Sequence, residues 1–308
     1  MTGDDPLICA SQLKSLLDAN TADVVIIEAS WATLDHASDY RHGHIPGAIH
    51  LDTDDLENGY PRWLLSPPNE LHEVIGRCGI ASQTTVIVYS ARAETAARIW
   101  WVLLYAGVAD VRLLDGGHAA WVTAGFPSET NINRPHPVVF TARAHADLLA
   151  TTEDVRRCIG DERTWLADAR SAAEYTGYTS GYDYLDRKGR LPRSIHIGDA
   201  NAAAHIYTHP DGRLRALDDI RTLWQHAAIC STVEPSKFDR DVVFYCGSGW
   251  RSSLAFFFAW RMGYRNIRNY SDGFCGWSTR YVPDAHAEGS TPGWRQEPTD
   301  NPIVSGDG

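Results

Sequence analysis

A cysteine, two glycines and an arginine lie close together in Cys246-Gly-Ser-Gly-Trp-Arg251, directly after the apolar run Val242-Val-Phe-Tyr245 and before a second apolar stretch with helical spacing. Such an order puts a thiol at the end of a strand and at the mouth of a helix. A helix N-terminus offers unpaired N–H groups and a partial positive charge, so a sulfur held there is favoured as the anion. Gly247 and Gly249 are expected to let the backbone curl its amides toward that sulfur, and the expectation is a nucleophilic Cys246 with a lowered thiol pKa.

The elements that position this loop occur twice. When the chain is laid on itself so that Ser90 falls on Cys246, Val86-Ile-Val-Tyr89 falls on Val242-Val-Phe-Tyr245, and Ala97-Arg-Ile-Trp100 on Ser253-Leu-Ala-Phe256. In the same frame Gly107, Gly117 and Trp121 fall on Gly263, Gly273 and Trp277 without a gap. The repeat is too long for a solenoid unit and reads as two copies of one domain. A length of 308 residues agrees with two domains that each bury a core.

Each half alternates short apolar strands with helical patterns, which predicts an α/β fold: mainly parallel sheets with helices on both faces. Strands are expected at Val24–Ile27, Val86–Tyr89, Trp165–Asp168 and Val242–Tyr245. Helices are expected at Ala96–Ala106 and Leu254–Met262, stopped by Gly107 and Gly263. The domains are placed at 1–130 and 148–285, joined by a linker at 131–147 that is rich in proline, histidine and polar residues. Residues 286–308 read as a loosely held tail. Thr176–Gly189, with three tyrosines and three glycines, reads as an inserted loop bordering the site.

Twenty-eight basic against 39 acidic residues give a net charge of −11, which argues against nucleic acid or an anionic membrane as partner. No run approaches a membrane span and the first residues lack the features of a secretory signal, so the expected location is cytoplasmic. The six cysteines contain no C-x-x-C pair. Neither a metal nor another cofactor is expected, His36, His42 and His44 reading as surface and strand-edge residues. Cys275 is either an inert buried thiol or a resolving thiol near the loop. Trp250 is either a wall of the site or a cap on the following helix, and Phe256-Phe-Phe-Ala-Trp260 is core packing.

The chain resembles the tandem-domain rhodaneses, sulfurtransferases of the thiosulfate or 3-mercaptopyruvate type. The resemblance rests in the first half on Tyr40-Arg-His-Gly43-His-Ile-Pro-Gly47-Ala, Ala96-Ala-Arg-Ile-Trp-Trp101, and Leu114-Asp-Gly-Gly117 followed by Trp121. In the second half it rests on Asp168-Ala-Arg170, Glu174-Tyr-Thr-Gly177 and Cys246-Gly-Ser-Gly249. It implies two rhodanese-like domains, the first degenerate because Ser90 replaces the cysteine. It also implies that Cys246 carries sulfur as a persulfide from a small anionic donor to a thiol, cyanide or thioredoxin-like acceptor. The loop Gly247, Ser248, Gly249, Trp250 and Arg251 would surround that sulfur.

The sequence departs from the family pattern in two places. Trp250 and Arg251 stand where the mercaptopyruvate type has a small apolar residue and a threonine. Glu174 stands where both donor classes have a substrate-binding arginine, so Arg251, with Arg170 or Arg190, is expected to supply the positive charge for the donor. Arg170 has the alternative of pairing structurally with Asp168. Two other functions stay open: a noncatalytic sulfur-binding or regulatory module, and a cysteine phosphatase or arsenate reductase. The latter group has five residues between cysteine and arginine, where this chain has four.

Overall fold

The structure is a computed structural model that describes residues 5–20, 23–59, 63–198, 206–227, 229, 240–284 and 293–306. In the first domain the elements run β1 (Leu7–Ile8), α1 (Ala10–Ala19), β2 (Val24–Ser30), α2 (Ser38–His42), β3 (Ile49–Asp52), α3 (Pro68–Arg77), β4 (Thr85–Tyr89), α4 (Ala93–Ala106), β5 (Asp110–Leu114) and α5 (Gly117–Thr123). The second repeats the scheme with α6 (Thr152–Ile159), β6 (Thr164–Asp168), α7 (Ala172–Thr176), β7 (Ser194–His196), α8 (Leu217–His226), β8 (Asp241–Tyr245), α9 (Trp250–Arg261), β9 (Ile267–Tyr270) and α10 (Gly273–Ser278). A hairpin, β10 (Thr279–Asp284) with β11 (Gly293–Pro298), follows.

The two parallel sheets have orders β1-β5-β4-β2-β3 and β7-β6-β8-β9. They are the same sheet twice, because Tyr89 pairs with Glu28 in the first as Tyr245 pairs with Asp168 in the second. Even the edge strand has a remnant in the second copy, a parallel bridge between Leu149 and Asn269. Strands β4 and β8 run through the middle of their sheets and are apolar almost throughout, as strands buried on both faces must be.

Helices α4 and α9, the two copies of one element, pack against each other and weld the domains together. Trp100 meets Phe257 edge-on at 4.7 Å between ring centres, and Trp101 and Trp260 flank Phe256. One continuous apolar cluster therefore includes Ile27 and Val88 of the first sheet together with Phe244 and Phe256 of the second domain. Both helices begin three or four residues before their apolar patterns because the polar residues of the loop form the first turn.

The linker is bolted to the first domain through Val138, whose N–H donates to the Gly76 carbonyl. The described part of the tail is not loosely held. Asn301 is buried and its side-chain amide donates to the Trp277 carbonyl, the Trp277 indole donates to the Pro302 carbonyl, and Arg190 and Val304 exchange backbone hydrogen bonds. Composition alone hid this, because the anchors are backbone groups and one amide. Among the described residues no helix is long and apolar enough to cross a membrane.

Truncating an aromatic of the α4–α9 seam tests whether the two copies fold as one unit. Phe257→Ala is expected to cost about 3–5 kcal/mol in denaturant unfolding and to shift both domains in a single transition. Separate transitions would show that the seam does not couple them.

Candidate active site

Strand β8 delivers Cys246 to the floor of the loop, where the residue is 1% exposed. Gly249 caps α9 in the left-handed region at φ 90°, which only glycine adopts readily, and its N–H donates to Cys246 Sγ at 3.2 Å. The loop is pinned from behind by the start of α10. Phe274 N–H donates to the Cys246 carbonyl at 2.7 Å and Cys275 N–H to the Gly247 carbonyl at 2.9 Å. At Gly273 an added Cβ would lie 2.3 Å from the Gly247 carbonyl oxygen, so this crossing requires glycine.

Gly247 serves a purpose other than the backbone curl expected of it. A Cβ there would stand 1.9 Å from the Tyr182 hydroxyl, so glycine is what lets Tyr182 rest on the loop. Tyr182 belongs to the inserted segment Thr176–Gly189, which therefore borders the site as its composition indicated. Ser248, half-buried, and Trp250 complete the loop. Trp250 is the first residue of α9. Its indole reaches across to the first domain and donates to both Glu57 oxygens at 3.2 Å.

The largest departure from expectation concerns Arg251. Its guanidinium grips Glu174 in a two-pronged ion pair, Nη1 to Oε2 at 2.7 Å and Nη2 to Oε1 at 2.8 Å, and Nη2 also donates to the Tyr182 hydroxyl at 3.1 Å. Burial alone would raise the Glu174 carboxyl. The Arg251 guanidinium and the Ser171 hydrogen bonds outweigh it and hold the group below the ordinary glutamate range. Glu174 is also the third residue of α7 and closes its capping box with Ser171, so the pair is fixed to a helix start.

The other arginines expected at the site are committed elsewhere. Arg170 is fully buried and bonded to both Asp168 oxygens and to the Gly189 carbonyl, with Phe274 stacked on its guanidinium at 4.3 Å. It pairs structurally under the loop and offers no charge to a donor in the cleft. Arg190 lies over the Tyr175 ring and donates to the carbonyls of Tyr175 and Gly306, so it holds the tail. Spacing could not separate these roles, since the partners of Arg190 are backbone carbonyls far along the chain.

Two residues from the first domain, unmarked as site residues by the sequence reading, grip the loop from across the seam. Arg98 of α4 donates to Glu57 at 2.6 Å and to Ser271 Oγ at 2.8 Å, and its Nη1 comes within 2.8 Å of where a Gly249 Cβ would stand. Burial nevertheless lifts the Glu57 carboxyl above its usual value, and lifts Asp272 likewise against the pull of Arg98. Arg98 lay inside a quoted motif, but nothing in spacing points to Glu57.

Cys275 sits behind the loop, where burial pushes its thiol up to about 12, the behaviour of an inert buried cysteine. Ser90 takes the place of Cys246 in the first domain, and its hydroxyl accepts from Arg92 N–H at 3.3 Å. Among the described residues no group of three or more His, Cys, Asp or Glu side chains could hold a metal ion.

The rhodanese-like domain family model matches residues 10–124 and again 151–280. The thiosulfate sulfurtransferase YnjE of Escherichia coli is 34% identical over 274 residues, covering 87% of this chain and 60% of that protein. The chain thus spans about three fifths of that relative's length. The thiosulfate sulfurtransferase of Mus musculus is 25% identical over 84% of this chain and 86% of the relative. Among solved structures, the anaerobic ergothioneine biosynthesis enzyme of Chlorobium limicola, in complex with trimethyl histidine, superposes with a TM-score of 0.82 at 26% identity, over 98% of this chain and 70% of that one. With both halves matched by one family model, the chain belongs to the rhodanese-like domain family, as a member with two such domains in tandem.

Proposed function

We propose that the chain moves a sulfane sulfur from a small anionic donor, thiosulfate or 3-mercaptopyruvate, through a persulfide on Cys246 to a thiophilic acceptor such as a thiol or cyanide. The observation that supports this most is the placement of Cys246 Sγ at the end of β8, with the Gly249 N–H aimed at it from the start of a twelve-residue helix. In the first step the Cys246 sulfur attacks the outer sulfur of the donor. The new S–S bond forms as sulfite leaves with the electrons of the broken S–S bond, or as pyruvate leaves as its enolate with the electrons of the broken C–S bond and takes a proton from water. In the second step the acceptor takes the outer sulfur and Cys246 returns to its starting state. Loop N–H groups steady the negative sulfur in both steps.

With Arg251 tied to Glu174, the anionic end of the donor relies on the loop amides and the Ser248 hydroxyl. The loop supplies no free arginine to recognise it. The proposed positioning roles follow from the contacts: Glu57 and Arg98 hold Trp250 and Ser271, and Tyr182 covers Gly247. A solved structure of EanB that carries a cysteine persulfide with ergothioneine, 26% identical, lends support to the covalent intermediate. It also motivates a second reading of the acceptor. The rings of Tyr182, Tyr184 and Trp63 lie in a row beside the loop, with centres 5.1 and 5.0 Å apart, and this aromatic row suits a flat ring better than cyanide. Trimethyl histidine is the acceptor to test for it.

Sulfur release from thiosulfate and from 3-mercaptopyruvate, measured side by side with cyanide, a dithiol and trimethyl histidine as acceptors, is expected to be abolished by Cys246→Ser. Activity that survives the substitution would overturn the proposal, and a wild-type chain inactive in every pairing would favour a noncatalytic sulfur-binding module.

Glu174→Gln should release Arg251 toward the cleft and lower the KM for thiosulfate about three- to tenfold with kcat little changed. Arg251→Ala is the weaker test, because it strands a buried carboxylate and is expected to cost about 3–5 kcal/mol of stability. An unchanged KM in Glu174→Gln would show that the donor does not approach this arginine.

A further inference from the structure

The two domains treat one buried carboxylate differently. In the second, Asp168 stands beside Tyr245 and is neutralised by the guanidinium of Arg170, two residues on, under the ring of Phe274. In the first, the strand register puts Glu28 beside Tyr89 at the matching position. The residue two further on is Ser30, whose hydroxyl hydrogen-bonds His50, just as His196 hydrogen-bonds the Arg170 carbonyl in the second copy. His118 replaces Phe274, as the internal repeat requires. The first domain has thus kept the carboxylate and lost its arginine.

Glu28 borders a cavity of about 680 Å³, lined also by Asp39, His42, Tyr89, Ser90 and His118 among others, with no lysine or arginine in its described wall. Glu28 is 4% exposed. Its Oε2 accepts from the Tyr89 hydroxyl at 2.8 Å, and Oε1 has no hydrogen-bond partner among the described residues. Asp39 adds a second negative charge at the rim. Asp211 of the second domain also reaches the wall, but it is paired with Arg213. Burial, with a smaller contribution from Asp39, pushes the Glu28 carboxyl up to about 7, as expected of a buried acid without a counter-ion.

We infer that the degenerate domain binds a small organic cation with N–H donors, of the guanidinium or primary ammonium class, in this cavity with Glu28 as its counter-ion. The ligand would stand where the Arg170 side chain stands in the other copy. Its N–H groups would meet the open Glu28 oxygen, and the Tyr89 and His118 rings would flank it. The site is separate from Cys246 and does not depend on the sulfur-transfer reading.

Calorimetric titration of the full chain with methylguanidinium and with agmatine, at mildly alkaline pH where Glu28 is ionised, tests the inference. Tetramethylammonium, equal in charge but without N–H donors, is the control. Saturable binding of at least one probe is expected, tighter than the control and about tenfold or more weaker in Glu28→Gln. Ser30→Arg should supply Glu28 with the guanidinium that Arg170 supplies to Asp168, abolish binding and raise the melting temperature. Sulfur transfer by both variants reports that the fold is intact. No saturable binding of either probe, binding undiminished in both variants, or tetramethylammonium binding as tightly would overturn it.

Discussion

Everything at the loop depends on where the charge of Arg251 goes. A guanidinium in the first turn of the helix that follows the loop cysteine would ordinarily advertise an anion site. Here Glu174 meets it with both oxygens, and the two groups lie largely out of water. Removing two charges from solvent is costly, and the cost is offset only when the geometry satisfies both partners. The pair meets that condition through the capping box of α7 on one side and the first turn of α9 on the other. Its consequences are local stiffness, a seat for Tyr182 above Gly247, and a cleft without a free arginine from the loop.

The same device recurs through the core. Arg98 with Glu57, and Arg170 with Asp168, are fully buried pairs that brace the loop from the opposite domain and from beneath. Each arginine is also stacked against an aromatic ring, Arg98 on Trp101 and Arg170 on Phe274. A planar, weakly hydrated cation suits such positions better than an ammonium would. The duplicated architecture makes its omission visible: Glu28 has no such partner and borders a cavity instead. Duplication explains the seam as well, since α4 and α9 present equivalent apolar faces and bury them against one another.

The sequence carried the fold because strands β4 and β8, the glycines at the loop crossings and the helix stops all repeat in frame. The loop at Cys246 was legible from the order of strand, glycines and helix around it rather than from the repeat, and the tyrosine segment at the rim from its composition. The partners of the arginines were not. Nothing local distinguishes a guanidinium offered to substrate from one held by Glu174 or by the carbonyl of Gly306, because the distinction lies in contacts between distant segments. Glu57 was silent for that reason, being an ordinary acidic residue until the α4–α9 seam brings Trp250 and Arg98 to it. The tail was misread because its anchorage is carried by backbone groups that composition does not describe.

The central claim is that Cys246 holds the sulfur in transit. Intact-protein mass after incubation with donor, in the absence of acceptor, addresses it directly. The account predicts a gain of one sulfur atom that is erased by cyanide or a thiol and is absent from Cys246→Ser. A gain that persists in Cys246→Ser, or that no acceptor removes, would contradict it.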